Sequence, residues 1–345
     1  MSDAVIETHG LTKQYGDLTA VDHLNLTVNR GEIFGLLGPN GAGKPTTTLM
    51  LLGLTEPTSG QALIDGHDCT RDSIAVKKQV GYLPDNVGFY PEMTGWENLI
   101  FSGMMNGQDR LDAMERAEEL LERVGMKDAA DRRTSTYSRG MRQRLGIADV
   151  LMKDPSIIIM DEPTLGIDPS GMHELTGLIR ELAEKDGRTI LISSHELYQI
   201  QEISDRVGIF VHGKMIAHGR ISDLRSQIKG GDSLYELNIK ARKEDLSFSQ
   251  DTSDKLLTEL LKKIAGILNI RIDADHMVHI EANHNIEGEL LGLLVGNGFV
   301  LREMHERGGD LDEIYRRYFE KAGETDDSSE HSRNKRSSES GSSQG

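Results

Sequence analysis

Short apolar runs separated by turn residues predict an alternation of strands and helices along most of the chain. The runs that predict strands lie at residues 5–12, 24–28, 33–37, 156–160, 189–192, 207–211 and 214–218. The first two are expected as edge strands of an N-terminal sheet. Residues 156–160 and 189–192 contain continuous apolar runs, which are typical of strands buried in a parallel sheet. The pattern therefore predicts an α/β domain.

Helical spacing of apolar residues occurs between these strands. A helix is predicted from about residue 46 to residue 54, and a longer helical stretch from about 95 to 124. In the longer stretch Leu120 and Leu121 lie on the apolar side, and glutamates lie on the solvated side. A further helical run is predicted at residues 145–152.

The rhythm of the pattern changes from about residue 233. Strands are predicted at residues 234–240, 268–272, 277–281 and 299–304, and helices at 254–264, 286–295 and 311–319. The order β-α-β-β-α-β is that of a split βαβ domain, so we expect a small α+β domain at residues 233–320. Residues 322–345 are rich in Ser, Gly, Glu and Asp with almost nothing apolar, which predicts a disordered tail.

Composition narrows the class of protein. The chain has 345 residues, enough for one large and one smaller domain, and its formal net charge is -17. This charge argues against a nucleic-acid partner, because contact with a phosphate backbone needs a basic surface. Cys69 is the only cysteine, which excludes an intrachain disulfide, and we expect it to be a small surface or semi-buried residue. No apolar run approaches the roughly 18 residues of a membrane span, so a membrane role would depend on a partner.

A glycine-rich segment, GPNGAGKPTTT at residues 38–48, lies between a predicted strand and a predicted helix. Gly38, Gly41 and Gly43 allow backbone N–H groups to turn inward. Lys44 and the positive end of the helix add charge at the same place. This context predicts a polyphosphate-binding loop.

One position of this loop departs from the expected pattern. The residue after the lysine should be Ser or Thr, whose hydroxyl is a magnesium ligand, but here it is Pro45. Proline has neither a hydroxyl nor a backbone N–H. Thr46 follows it, but one residue along a helix rotates a side chain by about 100 degrees. We therefore expect nucleotide binding, and Pro45 leaves efficient hydrolysis open.

Two acids follow the predicted strand at residues 156–160. Asp161 and Glu162 stand at the carboxyl end of a parallel strand, where ligands of open α/β sheets bind. Downstream of a phosphate loop, Asp161 is expected to hold Mg²⁺ through water, and Glu162 to act as general base toward the attacking water. Without the loop, two acids after an apolar run more often only end a strand.

Two more candidates lie at other element ends. His195 follows the predicted strand at 189–192, where it could donate to a γ-phosphate oxygen, although a histidine there is often structural. Ser138 and the backbone of Gly140 stand at a helix N-terminus, which is a site for anions. No phosphate loop adjoins this helix N-terminus in the sequence, so we expect it to cap the nucleotide of a second subunit.

The order of these motifs resembles that of the ATP-binding subunits of ABC transporters, over residues 3–225. The resemblance implies an ATP-binding domain of P-loop NTPase fold at 1–225, with a helical subdomain at about 86–152. It makes Glu162 the catalytic base, His195 the switch histidine and Asp161 the magnesium-site acid. It assigns nucleotide binding to Tyr15, Gly38, Pro39, Asn40, Gly41, Ala42, Gly43, Lys44, Pro45, Thr46, Ser138, Gly140 and Asp168.

A finer resemblance lies in GYLPDN at residues 81–86 and the following GFYPEMTGWENL. These segments resemble ATPases paired with six-helix permeases of drug, polysaccharide and copper-maturation systems. Most of the wider family has a glutamine at position 85 that senses magnesium and the permease, so Asp85 is a candidate metal contact with a shorter side chain. Arg139 and Met141 replace a glycine and a glutamine of the usual signature. The C-terminal domain resembles the accessory extension of exporter-type ATPases.

The resemblance also implies cofactors and partners. The cofactors are ATP and Mg²⁺, and the partners are an integral-membrane permease and a second ATP-binding subunit, in a homodimer or a heterodimer, with no nucleic acid. The protein is then expected in the cytoplasm, peripheral on the inner face of the cell membrane. Two alternatives stay open: a module that binds ATP without efficient turnover, and a soluble ATPase acting on ribosomes or DNA. The acidic charge and the single nucleotide domain count against the second.

Two groups of residues have both a functional and a structural interpretation. His276, His279 and His284 suggest a metal site, but an odd separation on a strand puts the first two on opposite faces. Phe89, Tyr90 and Trp96 form either a surface for a permease helix or the core of the helical region. For Trp96 the core is favoured.

Overall fold

The computed structural model describes residues 3–228, 233–241, 250–273, 277–282, 286–297 and 299–307. The chain separates into two compact units, the first ending at Arg220 and the second beginning at Ile221. The helix predicted at 311–319 and the tail predicted at 322–345 lie outside the described residues, as do His276 and His284.

The first unit alternates strands and helices. Its strands are β1 (Ala4–Tyr15), β2 (Leu18–Asn29), β3 (Ile33–Leu37), β4 (Ser59–Ile64), β5 (His67–Asp68), β6 (Val80–Leu83), β7 (Ile157–Asp161), β8 (Thr189–Ser194), β9 (Arg206–Val211) and β10 (Lys214–Gly219). Its helices are α1 (Lys44–Leu51), α2 (Ser73–Gln79), α3 (Gly95–Met105), α4 (Arg110–Arg123), α5 (Arg139–Leu151), α6 (Pro169–Glu184) and α7 (Leu197–Ile203). Short 3-10 turns occur at Lys127–Ala129 and Thr134–Thr136.

An antiparallel sheet with the strand order β2-β1-β4-β5 begins the unit. The prediction that β1 is an edge strand is wrong, because Ile6 is opposite Val28 on one side and Ile64 on the other. The second partner, β4, contributes few apolar residues and is poorly visible in the sequence. Cys69, expected to be a surface or semi-buried residue, is fully buried because its segment packs against the end of α1, where Gly53 approaches the Cys69 carbonyl.

The central sheet has the order β10-β9-β3-β8-β7-β6, with β9, β3, β8, β7 and β6 parallel and β10 antiparallel. Every residue of β3, β7 and β8 is buried, which for β7 and β8 confirms the prediction from their apolar runs. Parallel strands end at the same edge of a sheet, so the segments that follow β3, β7 and β8 meet there. That edge is where the loop, the two acids and the histidine were predicted.

The helical stretch predicted at 95–124 is two helices, α3 and α4. Gly107 adopts a positive φ of 93 between them, and the Asp109 side chain caps α4 by accepting from the Leu111 and Asp112 N–H groups. Thr94 and Glu97 form a capping box at the start of α3. The two helices pack against each other and against α5, which buries Leu120 and Leu121 as predicted.

The second unit contains α8 (Ile221–Ile228), β11 (Ser233–Ala241), α9 (Gln250–Leu261), β12 (Ile267–Ile272), β13 (Met277–Ala282), α10 (Glu287–Gly296) and β14 (Phe299–Arg307). Its sheet is antiparallel in the order β12-β13-β11-β14, and from β11 onward the elements follow the predicted β-α-β-β-α-β order. Tyr235, Ile280, Leu261 and Leu290 are among its buried core residues. No helix in the described parts of either unit is long and apolar enough to cross a membrane.

Candidate nucleotide site

The predicted phosphate loop joins β3 to α1. Gly43 caps the helix at a φ of 108, and a Cβ there would lie 2.2 Å from the Ala20 carbonyl oxygen. A Cβ at Gly38 would lie 2.2 Å from the Phe210 carbonyl oxygen. Both positions therefore require glycine, and the close packing places the positive end of α1 at the loop.

Lys44 is the first residue of α1 and is only 3% exposed. Its ammonium donates to the carbonyl oxygens of Gly38 and Pro39 and lies 3.8 Å from Oε1 of Glu162. Burial lowers the pKa of Lys44, and the negative charges of Glu162 and Asp161 act in the opposite direction. The lysine thus lies between the loop and the acids of the sheet edge.

Pro45 is exposed in the first turn of α1, a position where the fold tolerates proline. The three threonines that follow it are placed differently. Thr46 is half-buried, and the Thr47 hydroxyl donates to the Gly43 carbonyl oxygen. The Thr48 hydroxyl donates to Oδ1 of Asp161 over 3.1 Å. The α1 hydroxyl that reaches the acids is therefore that of Thr48, which the sequence did not predict.

Asp161 ends β7 and is 8% exposed. Its Oδ1 accepts from Thr48 and, over 2.7 Å, from the hydroxyl of Ser193, its neighbour across the parallel ladder. Its Oδ2 accepts from the Tyr82 hydroxyl over 2.7 Å. Three of about four acceptor positions of the carboxylate are thus filled by hydroxyls. The remaining capacity suits a water of a hydrated Mg²⁺ ion.

Glu162 follows in a left-handed conformation with a φ of 47, which is strained for a residue with a side chain. Its Oε1 lies 2.9 Å from Nδ1 of His195. Its Oε2 accepts from the Ser194 hydroxyl and from the His195 backbone N–H. The structure therefore brings together four of the predicted residues, namely Lys44, Asp161, Glu162 and His195.

A second group of predicted residues surrounds the start of α5. The Ser138 hydroxyl accepts from the Met141 N–H at the helix N-terminus, and Gly140 lies beside Ile167. Arg139 forms an ion pair of 2.8 Å with Asp85 and packs over Gly166. The Asp168 side chain caps α6. Across the described residues, no hydrogen bond or ion pair joins this group to the cluster around Lys44.

Tyr15 lies at the end of β1, and its side chain is 49% exposed. The ammonium of Lys13 is 5.0 Å from the centre of its ring. The ring is a flat apolar surface that could stack on a base, and among the described residues no hydrogen bond joins Tyr15 to the Lys44 cluster. Its role stays a prediction.

Sequence analysis missed Thr48, Tyr82 and Ser193. Of the three, Ser193 could have been predicted, because two adjacent buried strands end in polar residues and parallel strands end at the same edge. Thr48 and Tyr82 reach Asp161 from α1 and β6, which requires knowledge of the packing. Thr48 ends the GPNGAGKPTTT segment and Tyr82 lies in GYLPDN, but neither motif assigns these residues a contact with Asp161.

An aromatic groove of about 310 Å³ opens between β6 and the helices, and we call it the groove. Tyr82, Phe89, Tyr90, Phe101, Met105 and Asp149 are among its lining residues. The rings of Tyr90 and Phe101 meet edge to face at 5.1 Å. Burial raises the pKa of Asp149, while a hydrogen bond from Ser102 and the charge of Lys153 oppose that rise. Trp96 is half-buried and does not line the groove.

Of the three histidines that suggested a metal site, the structure describes His279. His279 lies with Nε2 3.2 Å from Oδ2 of Asp273. Within the described ranges, no three His, Cys, Asp or Glu side chains form a group that could hold a metal ion.

Comparison with known proteins places these features in a family. The family model described as ABC transporter matches residues 21–165. The linearmycin resistance ATP-binding protein LnrL of Bacillus subtilis (strain 168) is 38% identical over 240 residues, which cover 70% of this chain and 76% of that protein. The bacitracin transport ATP-binding protein BcrA of Bacillus licheniformis is 36% identical over 294 residues, covering 85% of this chain and 90% of that protein.

Solved structures agree with these relatives. The ADP conformation of an ATP-binding cassette of an ABC transporter is 27% identical, with a TM-score of 0.57, and covers 63% of this chain and 91% of that one. A dimeric bacterial ABC transporter cassette is 25% identical, with a TM-score of 0.58, and covers 62% of this chain and 98% of that one. The chain therefore belongs to the ABC transporter family, as one of its ATP-binding ATPase subunits.

Proposed function

We propose that this chain drives an exporter: two ATP-binding subunits close around ATP, hydrolysis reopens them, and a permease converts the motion into transport. The observation that carries the proposal is the junction of Lys44 with Glu162 and His195 at one edge of the sheet. The relatives support the direction of transport, since LnrL is named for resistance to linearmycin. We further propose that the protein lies in the cytoplasm, on the inner face of the cell membrane, held there by the permease.

Each residue of the cluster has a role that follows from its partners. Lys44 exchanges its contacts with the Gly38 and Pro39 carbonyl oxygens for phosphate oxygens. Glu162 accepts a proton from the attacking water, since its carboxylate is fixed by Ser194 and His195. His195 donates to the γ-phosphate. Tyr15 stacks on adenine with its exposed ring.

The residues at the start of α5 act on the second subunit. Ser138 and Gly140 lie at a helix N-terminus, where backbone N–H groups bind anions. Their separation from the Lys44 cluster fits a nucleotide held between two subunits, each of which supplies one side. Asp168, at the start of α6, contributes to the same contact. The pair is a homodimer or a heterodimer.

Asp161 would hold Mg²⁺ through water, because its carboxylate is buried, oriented and retains one acceptor position. When bound, the ion neutralises charge on the phosphates. Asp85 is a weaker candidate, because it is exposed and pairs with Arg139 in this structure. Pro45 contributes no oxygen, so the chain supplies fewer metal ligands than the loop pattern provides.

The groove is the surface that we assign to the permease. Phe89 and Tyr90 line it, together with Phe101 and Met105, and the last two side chains are exposed to solvent. An apolar surface with aromatic side chains suits the apolar face of a helix. Trp96 does not line this surface.

One observation favours a second candidate function, a subunit that binds ATP but turns it over poorly. Pro45 is exposed at the mouth of the loop without a hydroxyl or an N–H. Hydrogen bonds to charged groups contribute about 1.5 to 3 kcal/mol each. Losing one such bond would weaken binding of the transition state about tenfold to a hundredfold. In a heterodimer, a partner subunit with an intact phosphate loop would provide the one efficient hydrolysis site of the pair.

Magnesium-dependent ATP hydrolysis by the purified protein separates these functions. The protein is compared with Pro45→Ser, which restores the hydroxyl and the N–H, and with Pro45→Ala, which restores only the N–H. Glu162→Gln, made in both the unmodified and the Pro45→Ser backgrounds, measures contaminating activity. We expect turnover that depends on Glu162 in the unmodified protein, and faster turnover in Pro45→Ser. Turnover in Pro45→Ser alone would favour the binding subunit, and none in either would refute the assigned catalytic residues.

A further inference from the structure

Tyr82 contacts both the nucleotide site and the groove. It lies on β6, and its hydroxyl donates to Oδ2 of Asp161 over 2.7 Å. Its side chain also lines the groove beside Phe89, Tyr90 and Phe101. A single half-buried side chain therefore touches both the groove and the acid of the nucleotide site.

The two oxygens of Asp161 are held by different parts of the protein. Oδ1 accepts from Thr48 on α1 and Ser193 on β8, and neither residue lines the groove. Oδ2 accepts from Tyr82. A movement of the Tyr82 ring would therefore release or rotate Oδ2 while Oδ1 stays in place. Burial and the bond to Asp161 raise the pKa of Tyr82, so the hydroxyl remains a donor at ordinary pH.

Asp85, three residues further along the chain, does not make this connection. Its Oδ1 pairs with Arg139 over 2.8 Å, and about half of the Asp85 side chain is exposed. Its side chain forms no hydrogen bond with Asp161, Glu162 or Lys44. Asp85 thus contacts the start of α5, whereas Tyr82 contacts the acid.

We propose that Tyr82 is a positioning residue that couples occupancy of the groove to the orientation of Asp161, and so to the affinity for magnesium with nucleotide. The proposal rests on the assignment of the groove to the permease. An apolar helix seated against the Tyr82 ring changes the bond to Oδ2. The permease can then influence the metal side of the site without contacting it.

The first test measures how strongly magnesium increases nucleotide affinity. Calorimetry with a non-hydrolysable ATP analogue gives dissociation constants in EDTA and in Mg²⁺, and their ratio is the magnesium-linked gain. Tyr82→Phe keeps the ring in the groove and removes only the bond to Asp161. We expect the gain to fall on the order of threefold to tenfold, the range of the net contribution of a typical hydrogen bond. Tyr90→Phe, which removes a hydroxyl from the same groove, should change it less than about twofold.

The second test fills the groove without a permease. Phe101→Cys is labelled with a bulky aromatic maleimide, and the native Cys69 stays unmodified because it is buried and burial raises its pKa to about 12. The label should change the magnesium-linked gain at least about threefold when Tyr82 is present. In Tyr82→Phe the label should have no effect.

An unchanged gain in Tyr82→Phe, or an equal effect of the label with and without the Tyr82 hydroxyl, overturns the proposal. Failure of the proposed function gives a different result. In that case neither the unmodified protein nor Pro45→Ser hydrolyses ATP, whatever the magnesium-linked gain shows. The two sets of measurements therefore fail independently.

Discussion

The two sides of the nucleotide site differ in how their charged groups are partnered. On the acid side, Asp161 accepts three hydroxyl hydrogen bonds, and Glu162 is fixed by Ser194 and His195. On the loop side, Lys44 donates to carbonyl oxygens of its own loop. The acid side holds its geometry through contacts with neighbouring strands and helices. The loop side must exchange its internal contacts for those of the nucleotide.

This difference suggests a division of labour. Groups that are already oriented need no rearrangement when charge develops in the transition state, and such groups contribute most to rate. Groups that exchange contacts on binding contribute mainly to affinity. Pro45 lies on the loop side, yet the hydroxyl it lacks would serve the metal held by the acid side. Pro45 therefore affects both the loop side, where it lies, and the metal that the acid side would hold.

The largest effect should come from His195→Ala, on the acid side. Removing one oriented donor to developing charge typically costs about 100-fold to 1000-fold in turnover. We expect turnover to fall by that factor while nucleotide affinity changes less than about threefold. Steady-state hydrolysis and calorimetry measure the two quantities. His218→Ala, an exposed histidine on β10, is the matched control. A loss of affinity as large as the loss of turnover would contradict the proposal that the acid side contributes mainly to rate.

Lys44→Met should give the opposite result on the loop side. The change removes a charged donor to the phosphates, so affinity should weaken about tenfold to a hundredfold. Lys153→Met is the control, because burial also lowers the pKa of Lys153, which donates to the Lys77 carbonyl oxygen away from the site. Comparable losses in both variants would mean that the effect comes from burial of a lysine and not from phosphate contact.

The sequence predicted the two sides unequally well. The loop residues are contiguous, and glycine spacing with one lysine describes them. Asp161, Glu162 and His195 were visible because each follows a buried apolar run, and parallel strands end at one edge. Thr48 and Tyr82 were not visible, because each bonds to Asp161 across a different packed element. The prediction that β1 is an edge strand failed for the same reason, since its second partner, β4, lies about 50 residues further along the chain.

Thr48→Val tests whether the two sides are physically joined. Valine has nearly the shape of threonine but leaves Oδ1 of Asp161 without one donor in a buried place. We expect a loss of about 1 to 3 kcal/mol in the free energy of unfolding, measured by urea denaturation without nucleotide. Thr46→Val, at a half-buried position on the same helix, should cost less than about 1 kcal/mol. Equal costs would show that the bond between α1 and Asp161 adds no stability.

The smallest expected effect concerns the charge of Lys44. Burial lowers its pKa, and Glu162 is the strongest of the charges that raise it again. Phosphate binding favours the charged lysine, so affinity should decline as pH rises through that pKa. Glu162→Gln removes the raising charge, the pKa falls further, and the decline should move to lower pH. Titrating ADP affinity between about pH 7 and 10 measures the shift. Glu32→Gln, which removes an acid paired with Arg206 instead, should leave the midpoint unchanged. The same midpoint in all three proteins would mean that the acid side does not influence the charge on the loop side.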